Sequence, residues 1–218
     1  MRTLEGAKTK PSRERLFHFA GLIPLFMIPW AGTTWVIFTA LAAVHRFRER
    51  AWKFYASLGG GFARYMVIGM GSACLTETLA VIDNLKRPPG ERVLFNPNPL
   101  TDLYLAFAYY LPFILFWGLA VRRYNYSWKE VFLIGGATGI LMEQMGAVFF
   151  SFNPLAWLYV LLVYGSYKAM PVLVAEDCLK KRERRKLKTW KKLTLGLLVE
   201  STAFVSAGAL LWSFKLIL

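Results

Sequence analysis

Five apolar runs divide the chain, at residues 61–82, 103–121, 131–150, 155–175 and 193–214. Each approaches or exceeds the roughly 18 residues that a helix needs to cross a bilayer, and charged or turn-forming residues bound each one. Backbone polar groups find no water in hydrocarbon, so runs of this length predict helices. A further apolar stretch, 16–45, is longer than one crossing requires and has basic residues on both flanks. Pro29-Trp30-Ala31-Gly32 lies at its middle and offers a turn. The stretch therefore predicts a re-entrant or two-pass helical hairpin with both ends on the same side. A cleaved signal peptide competes for this segment, but Pro29-Trp30-Ala31 is a poor cleavage site and apolar sequence resumes at once. The expected fold is all-α: a polytopic membrane helical bundle of five clear transmembrane helices plus the N-terminal hairpin.

Composition agrees, at 56% hydrophobic residues and a mean hydropathy of +0.39, too apolar for an ordinary soluble domain. No long polar linker interrupts the 218 residues, so residues 1–218 read as a single integral membrane domain. Within it, 1–15 form a basic tail, 176–192 a basic amphipathic segment and 193–216 the last transmembrane helix.

The net charge of +14 would suit a nucleic-acid partner, but its distribution argues against one. Basic residues collect at particular helix ends: Arg13 and Arg15; Arg46, Arg48, Arg50 and Lys53; Arg122, Arg123 and Lys129; and the run from Lys180 to Lys192. That is a positive-inside pattern, which predicts a plasma or inner membrane protein with a cytoplasmic N-terminus. Lys86, Arg87 and Arg92 fall on the other side and are outnumbered. The run between Lys180 and Lys192 is expected to meet anionic headgroups of membrane lipids.

The chain also resembles itself. Ile68-Gly69-Met70-Gly71-Ser72-Ala73-Cys74-Leu75-Thr76-Glu77 aligns without a gap to Ile134-Gly135-Gly136-Ala137-Thr138-Gly139-Ile140-Leu141-Met142-Glu143, sharing isoleucine, glycine, leucine and glutamate. Asn98-Pro99-Leu100, Leu103-Tyr104 and Tyr109 then recur as Asn153-Pro154-Leu155, Leu158-Tyr159 and Tyr164. Two matching blocks in the same order predict a duplicated two-helix unit, 61–121 and 130–175. Each copy crosses twice, so the copies run parallel, related by an axis along the membrane normal.

Residues four apart share a helix face, which aligns Gly69, Ala73 and Glu77 on one helix and Gly135, Gly139 and Glu143 on another. Small residues at this spacing let membrane helices approach closely, so the two glutamates are expected inside the bundle. A carboxylate there is expensive to insert, by about 2.5–3.5 kcal/mol on translocon scales, and is by default functional. Glu77 and Glu143 are expected on the outer side of mid-membrane, as a facing pair that shares a proton or a cation. The bland alternative is a protonated glutamate bonded across helices. Glu200, four residues after Gly196, is a further candidate at an inner level of a polar path. Asn98-Pro99 and Asn153-Pro154 read as helix caps. Tyr104 and Tyr159 either bond the glutamates or belong to an aromatic belt. Lys168 is expected to snorkel to the cytoplasmic interface.

Other chemistry is weakly represented. The two histidines, His18 and His45, and the two cysteines, Cys74 and Cys178, form no ligand pattern, so no metal, cofactor or disulfide framework is expected. Asn125-Tyr126-Ser127 matches a glycosylation acceptor on the predicted cytoplasmic side and is expected to stay unmodified. The leading expectation is a small transporter or channel in which Glu77 and Glu143 handle protons or a cation. The alternatives are an intramembrane enzyme using a glutamic acid as general acid on a lipid or isoprenoid, and a structural or assembly subunit. A second copy of the chain or a separate membrane subunit are both open as partners.

Overall fold

The computed structural model describes residues 11–55, 60–179 and 185–215, and every regular element among them is helical. The N-terminal region forms α1 (Pro11–Ala20), α2 (Ile23–Ala31), α3 (Val36–Arg46) and α4 (Arg48–Tyr55). The long elements follow as α5 (Gly61–Leu85), α6 (Pro99–Arg123), α7 (Trp128–Met142), the single turn α8 (Ala147–Phe150), α9 (Pro154–Leu179) and α10 (Thr189–Lys215). Five stretches are long and apolar enough to cross a membrane: Gly61–Leu85, Pro99–Arg123, Trp128–Phe150, Pro154–Ala175 and Thr189–Phe214. The architecture is therefore an all-helical membrane bundle.

Local sequence sets where the long helices begin. Asn98 Oδ1 accepts from the backbone N–H groups of Leu100 (3.0 Å) and Thr101 (3.4 Å), and Pro99 occupies the first turn, where no N–H is needed. Asn153 does the same for Leu155 (3.0 Å) and Ala156 (3.3 Å) ahead of α9. At α7, Ser127 and Glu130 form a reciprocal capping box. Lys192 Nζ adds an ion pair to Glu130 at 2.8 Å, and Tyr126 donates its hydroxyl to the Lys192 carbonyl at 2.7 Å. The start of α10 is thus tied to the start of α7.

α9 is the central helix. Of its apolar stretch 72% is buried inside the protein, against 22% for α10, which lies at the periphery against α6 and α7. α9 packs on α3, α5, α6 and α7. Its closest approach is to α7, where a Cβ on Gly136 would stand 2.6 Å from the Leu161 carbonyl oxygen and one on Gly165 2.6 Å from that of Phe132. Backbone-to-backbone packing of this kind supplies dispersion contacts where lipid offers no hydrophobic drive between helices.

The N-terminal hairpin turns at Gly32, whose φ of 85° suits a residue without a side chain. Asp83, near the end of α5, holds that turn. Its carboxylate accepts from the Thr33 N–H (2.6 Å), the Thr34 N–H (2.8 Å) and both threonine hydroxyls (3.0 and 2.8 Å). These N–H groups belong to the turn that leads into α3, where the helix dipole also favours a carboxylate. At the hairpin's other end His18 and His45 share a 3.0 Å hydrogen bond, packed with Phe17 against Trp128 at the start of α7.

Residues 11–15, expected in a basic tail, already belong to α1: Pro11 opens the helix and Glu14 falls in its first turn. Residues 1–10 lie outside the described residues. The expected 176–192 segment is described in part. α9 continues to Leu179, residues 180–184 lie outside the described residues, and α10 begins at Thr189. Between them Arg185 is extended and bonded to the α6–α7 connector, through Asn125 N–H to Arg185 O and Arg185 N–H to Arg123 O, both 3.3 Å. Backbone pairing to that connector satisfies Arg185.

Asp83→Ala removes the acceptor for both turn N–H groups and is expected to destabilise the solubilised protein by about 2 kcal/mol. Thermal melts in detergent check this against Lys86→Ala, whose exposed side chain makes only a 3.3 Å contact with Asp83 and which should melt like the parent.

Candidate functional site

Two polar clusters sit inside the bundle, joined by tyrosines. In the upper one Glu77, on α5, accepts a 2.9 Å hydrogen bond from the Tyr110 hydroxyl of α6. Glu143, where α7 ends, accepts one from the Tyr164 hydroxyl of α9. Each glutamate is therefore bonded by a tyrosine of the long helix that follows it. The rings are also connected: Tyr110 meets Tyr167 edge-on at 5.0 Å between centroids, and Tyr167 meets Tyr164 at 5.8 Å.

Both glutamates line one cavity of about 570 Å³, together with Tyr109, Tyr110, Tyr159, Tyr164 and Arg87. The cavity also takes in Gln144 and Met145, where the third span is broken. α7 stops at Met142, and Gln144 (φ 49°), Met145 (φ 58°) and Gly146 (φ 91°) are left-handed in succession before α8 resumes. For the two residues with side chains this conformation costs about 1–2 kcal/mol each. The break borders the cavity, while the Gln144 and Met145 side chains themselves are exposed. The chain matches no known protein family, no curated protein and no solved structure. The reading of the site accordingly rests on its own geometry.

Glu77 and Glu143, expected as a facing pair, line the same cavity, each capped by its own tyrosine. Asp102, from the first turns of α6, is a further carboxyl beside Glu77. Asp102 is fully buried: one of its oxygens accepts from the Asn96 N–H at 3.0 Å, and the other makes no hydrogen bond among the described residues. No three His, Cys, Asp or Glu side chains among the described residues converge to hold a metal ion.

The lower cluster is an ion pair. Lys168 Nζ, on α9, lies 2.7 and 2.8 Å from the two carboxylate oxygens of Glu200, on α10. Trp117 Nε1 of α6 donates to the same carboxylate at 2.6 Å, and Lys168 Nζ bonds the Gly135 carbonyl at 3.3 Å. Both charged groups are sealed from the surface. Aromatic faces complete the shell, with the ammonium 4.7 Å from the Phe113 ring centre, 5.4 Å from Tyr164 and 5.6 Å from Tyr167. Lys168 thus does not snorkel to the interface. A carboxylate within reach and four ring or amide contacts hold it in the interior. Gly135 makes the pair possible, because a Cβ there would come 2.7 Å from Lys168 Cδ and 3.3 Å from Glu200 Oε1.

The remaining candidates separate. Gly69 faces Ile114 of α6, Ala73 is fully buried beside it, and Gly139 faces Tyr164. Tyr159 reaches the cavity, with its ring against Trp35 at 5.1 Å. Tyr104 is half exposed and turns to Phe214, away from both glutamates. Tyr110, Tyr164, Tyr167, Asp102 and Trp117 were not singled out as site residues by sequence. One signal for Lys168 was legible: an intramembrane cation and an intramembrane carboxylate, each without a neighbour of opposite charge on its own helix, need each other.

Removing one partner of the buried pair leaves a bare charge. Lys168→Met alone is expected to destabilise the protein by about 3–5 kcal/mol, and Lys168→Met with Glu200→Met to recover most of that loss. Thermal melts of the three proteins check the pattern; equal melting of the single and double variants would rule out the pairing.

Proposed function

We propose that the chain is a small membrane transporter or channel that passes protons or a small cation by way of Glu143 and Glu77. The observation that carries this is the break of the third span at Glu143, inside a cavity that both glutamates line. A helix that ends at membrane depth turns the negative end of its dipole and its last carbonyls toward the cavity, where they favour a cation or a bound proton. Gln144 and Met145 give the carboxyl an irregular-backbone neighbourhood that a continuous helix would not. Tyr164 and Tyr110 donate to the two carboxylates and would yield when a proton or cation arrives. Tyr167, whose hydroxyl has no hydrogen-bond partner among the described residues, stands between those tyrosines, where a water could complete a relay. Glu200, neutralised by Lys168, is the inner charged level of the same polar column.

The wider reading takes the chain as two parallel hairpin copies, supported by the matched sequence blocks and by the tyrosine that each glutamate receives from its following helix. It also takes α1–α3 as a two-pass hairpin, because its turn is bonded to the end of α5 while its open end packs at the start of α7. The basic helix ends then face the cytoplasm and the cavity faces outward. A second reading, an intramembrane enzyme with a glutamic acid as proton donor to a lipid or isoprenoid, is favoured by one feature. Val93, Leu94, Phe95, Phe204 and Leu211 give the cavity apolar walls that would accept a hydrocarbon chain.

Reconstituted vesicles carrying a pH-sensitive or cation-sensitive dye decide the matter. Glu143→Gln and Glu77→Gln are expected each to slow flux by about ten- to a hundredfold, the equivalent of one charge-assisted hydrogen bond. Unchanged flux in both variants removes the transport reading.

A further inference from the structure

A second cavity, of about 660 Å³, lies between α6 and α10 at the opposite end of the bundle from the glutamate site. Its walls are of two kinds. Phe116, Leu119, Leu195 and Val199 line it at the depth of the spans, whereas Arg122, Arg123 and Arg185 gather at its mouth. We propose that this groove is a binding site for one anionic phospholipid, its phosphate held by the three arginines and an acyl chain lying along the apolar walls.

The arginines converge through structure. Arg122 and Arg123 end α6, while Arg185, from the segment between α9 and α10, is held there by its backbone bonds to Arg123 and Asn125. Those bonds fix the Arg185 backbone, so the cluster does not have to be ordered when the ligand arrives. Arg122 is further positioned by its guanidinium lying over the Phe62 ring at 5.8 Å, which leaves the donor edge open to an anion. Guanidinium groups bind phosphate oxygens by paired N–H donors, and the cavity volume falls within the range of small-molecule sites. No acidic side chain lines the groove among the described residues. The occupant must be amphipathic as well as anionic, because the apolar walls continue below the arginines on a helix pair that faces lipid. A free phosphate would leave those walls uncovered.

Native mass spectrometry of the detergent-purified protein tests this directly, after incubation with phosphatidylglycerol or with phosphatidylcholine of the same acyl chains. The protein is expected to retain one phosphatidylglycerol in preference to phosphatidylcholine. Arg122→Gln/Arg123→Gln/Arg185→Gln should weaken that retention by about a hundredfold, as three near-surface basic contacts are lost. Leu195→Trp, which fills the groove and keeps the arginines, should also abolish it, and both variants are first shown to be monodisperse and helical. Arg46→Gln/Arg50→Gln/Lys53→Gln, which removes as many charges elsewhere, should have no effect. An equal loss in that control would mean diffuse attraction and overturn the site. Competition by inorganic phosphate as effective as that by the lipid would overturn the lipid as its occupant, as would full retention in Leu195→Trp.

Discussion

The buried contact between Lys168 and Glu200 constrains the bundle more than any other. A charge taken out of water is tolerated only if an opposite charge and further dipoles replace its hydration, and here these come from four different helices. α9 supplies the ammonium, α10 the carboxylate, α6 the indole of Trp117 and α7 a carbonyl at Gly135. The helices must therefore meet at one level and in one rotation. A slip of a single residue in any of them would leave a charge unmatched in hydrocarbon. Dispersion between apolar faces specifies register weakly, so the polar contact supplies specificity that lipid-facing surfaces cannot.

The same logic recurs at the other end with a different instrument. Asp83 uses a carboxylate to collect the N–H groups of the turn that leads into α3. That ties a hairpin of short helices, with many large apolar side chains turned outward, to the rest of the bundle. Between the two charged fixtures runs the tyrosine-linked pair of glutamates, whose neighbours are hydroxyls and irregular backbone rather than fixed opposite charges. Charge compensation lies above and below, with hydrogen bonding between, and the proposed proton or cation handling would draw on that middle level while the charged frame stays as it is.

Much of the frame was legible in the sequence, because a bilayer narrows the choices. Apolar run length marked the five spans, the Asn-Pro pairs marked two helix starts, and Pro29–Gly32 marked the neighbourhood of the hairpin turn. What escaped depends on which helix lies beside which. Tyr110 and Tyr164 differ little from an ordinary aromatic belt until their hydroxyls are seen on Glu77 and Glu143. Asp102 lies in the first turn of α6, and nothing local in the sequence marks it as a buried acid. Gly135 fitted a packing stripe, yet the space it leaves is filled by a lysine stem, and the close backbone approach is made by its neighbour Gly136. The break after Met142 had no local signal, since Glu143, Gln144 and Met145 are ordinary helix formers. Only tertiary context makes them leave the helix.

The order in which the chain is made gives the ion pair a temporal meaning. α9 emerges and meets the membrane before α10, so Lys168 enters first, without its carboxylate. Until Glu200 arrives its ammonium has only a backbone carbonyl and aromatic faces for company, a poor substitute for water. Partial insertion is therefore disfavoured, and α9 should settle into the bilayer together with α10 rather than ahead of it. α10, the least buried of the long helices, then acts as a latch: the centre of the bundle reaches electrical neutrality only when that helix has been threaded.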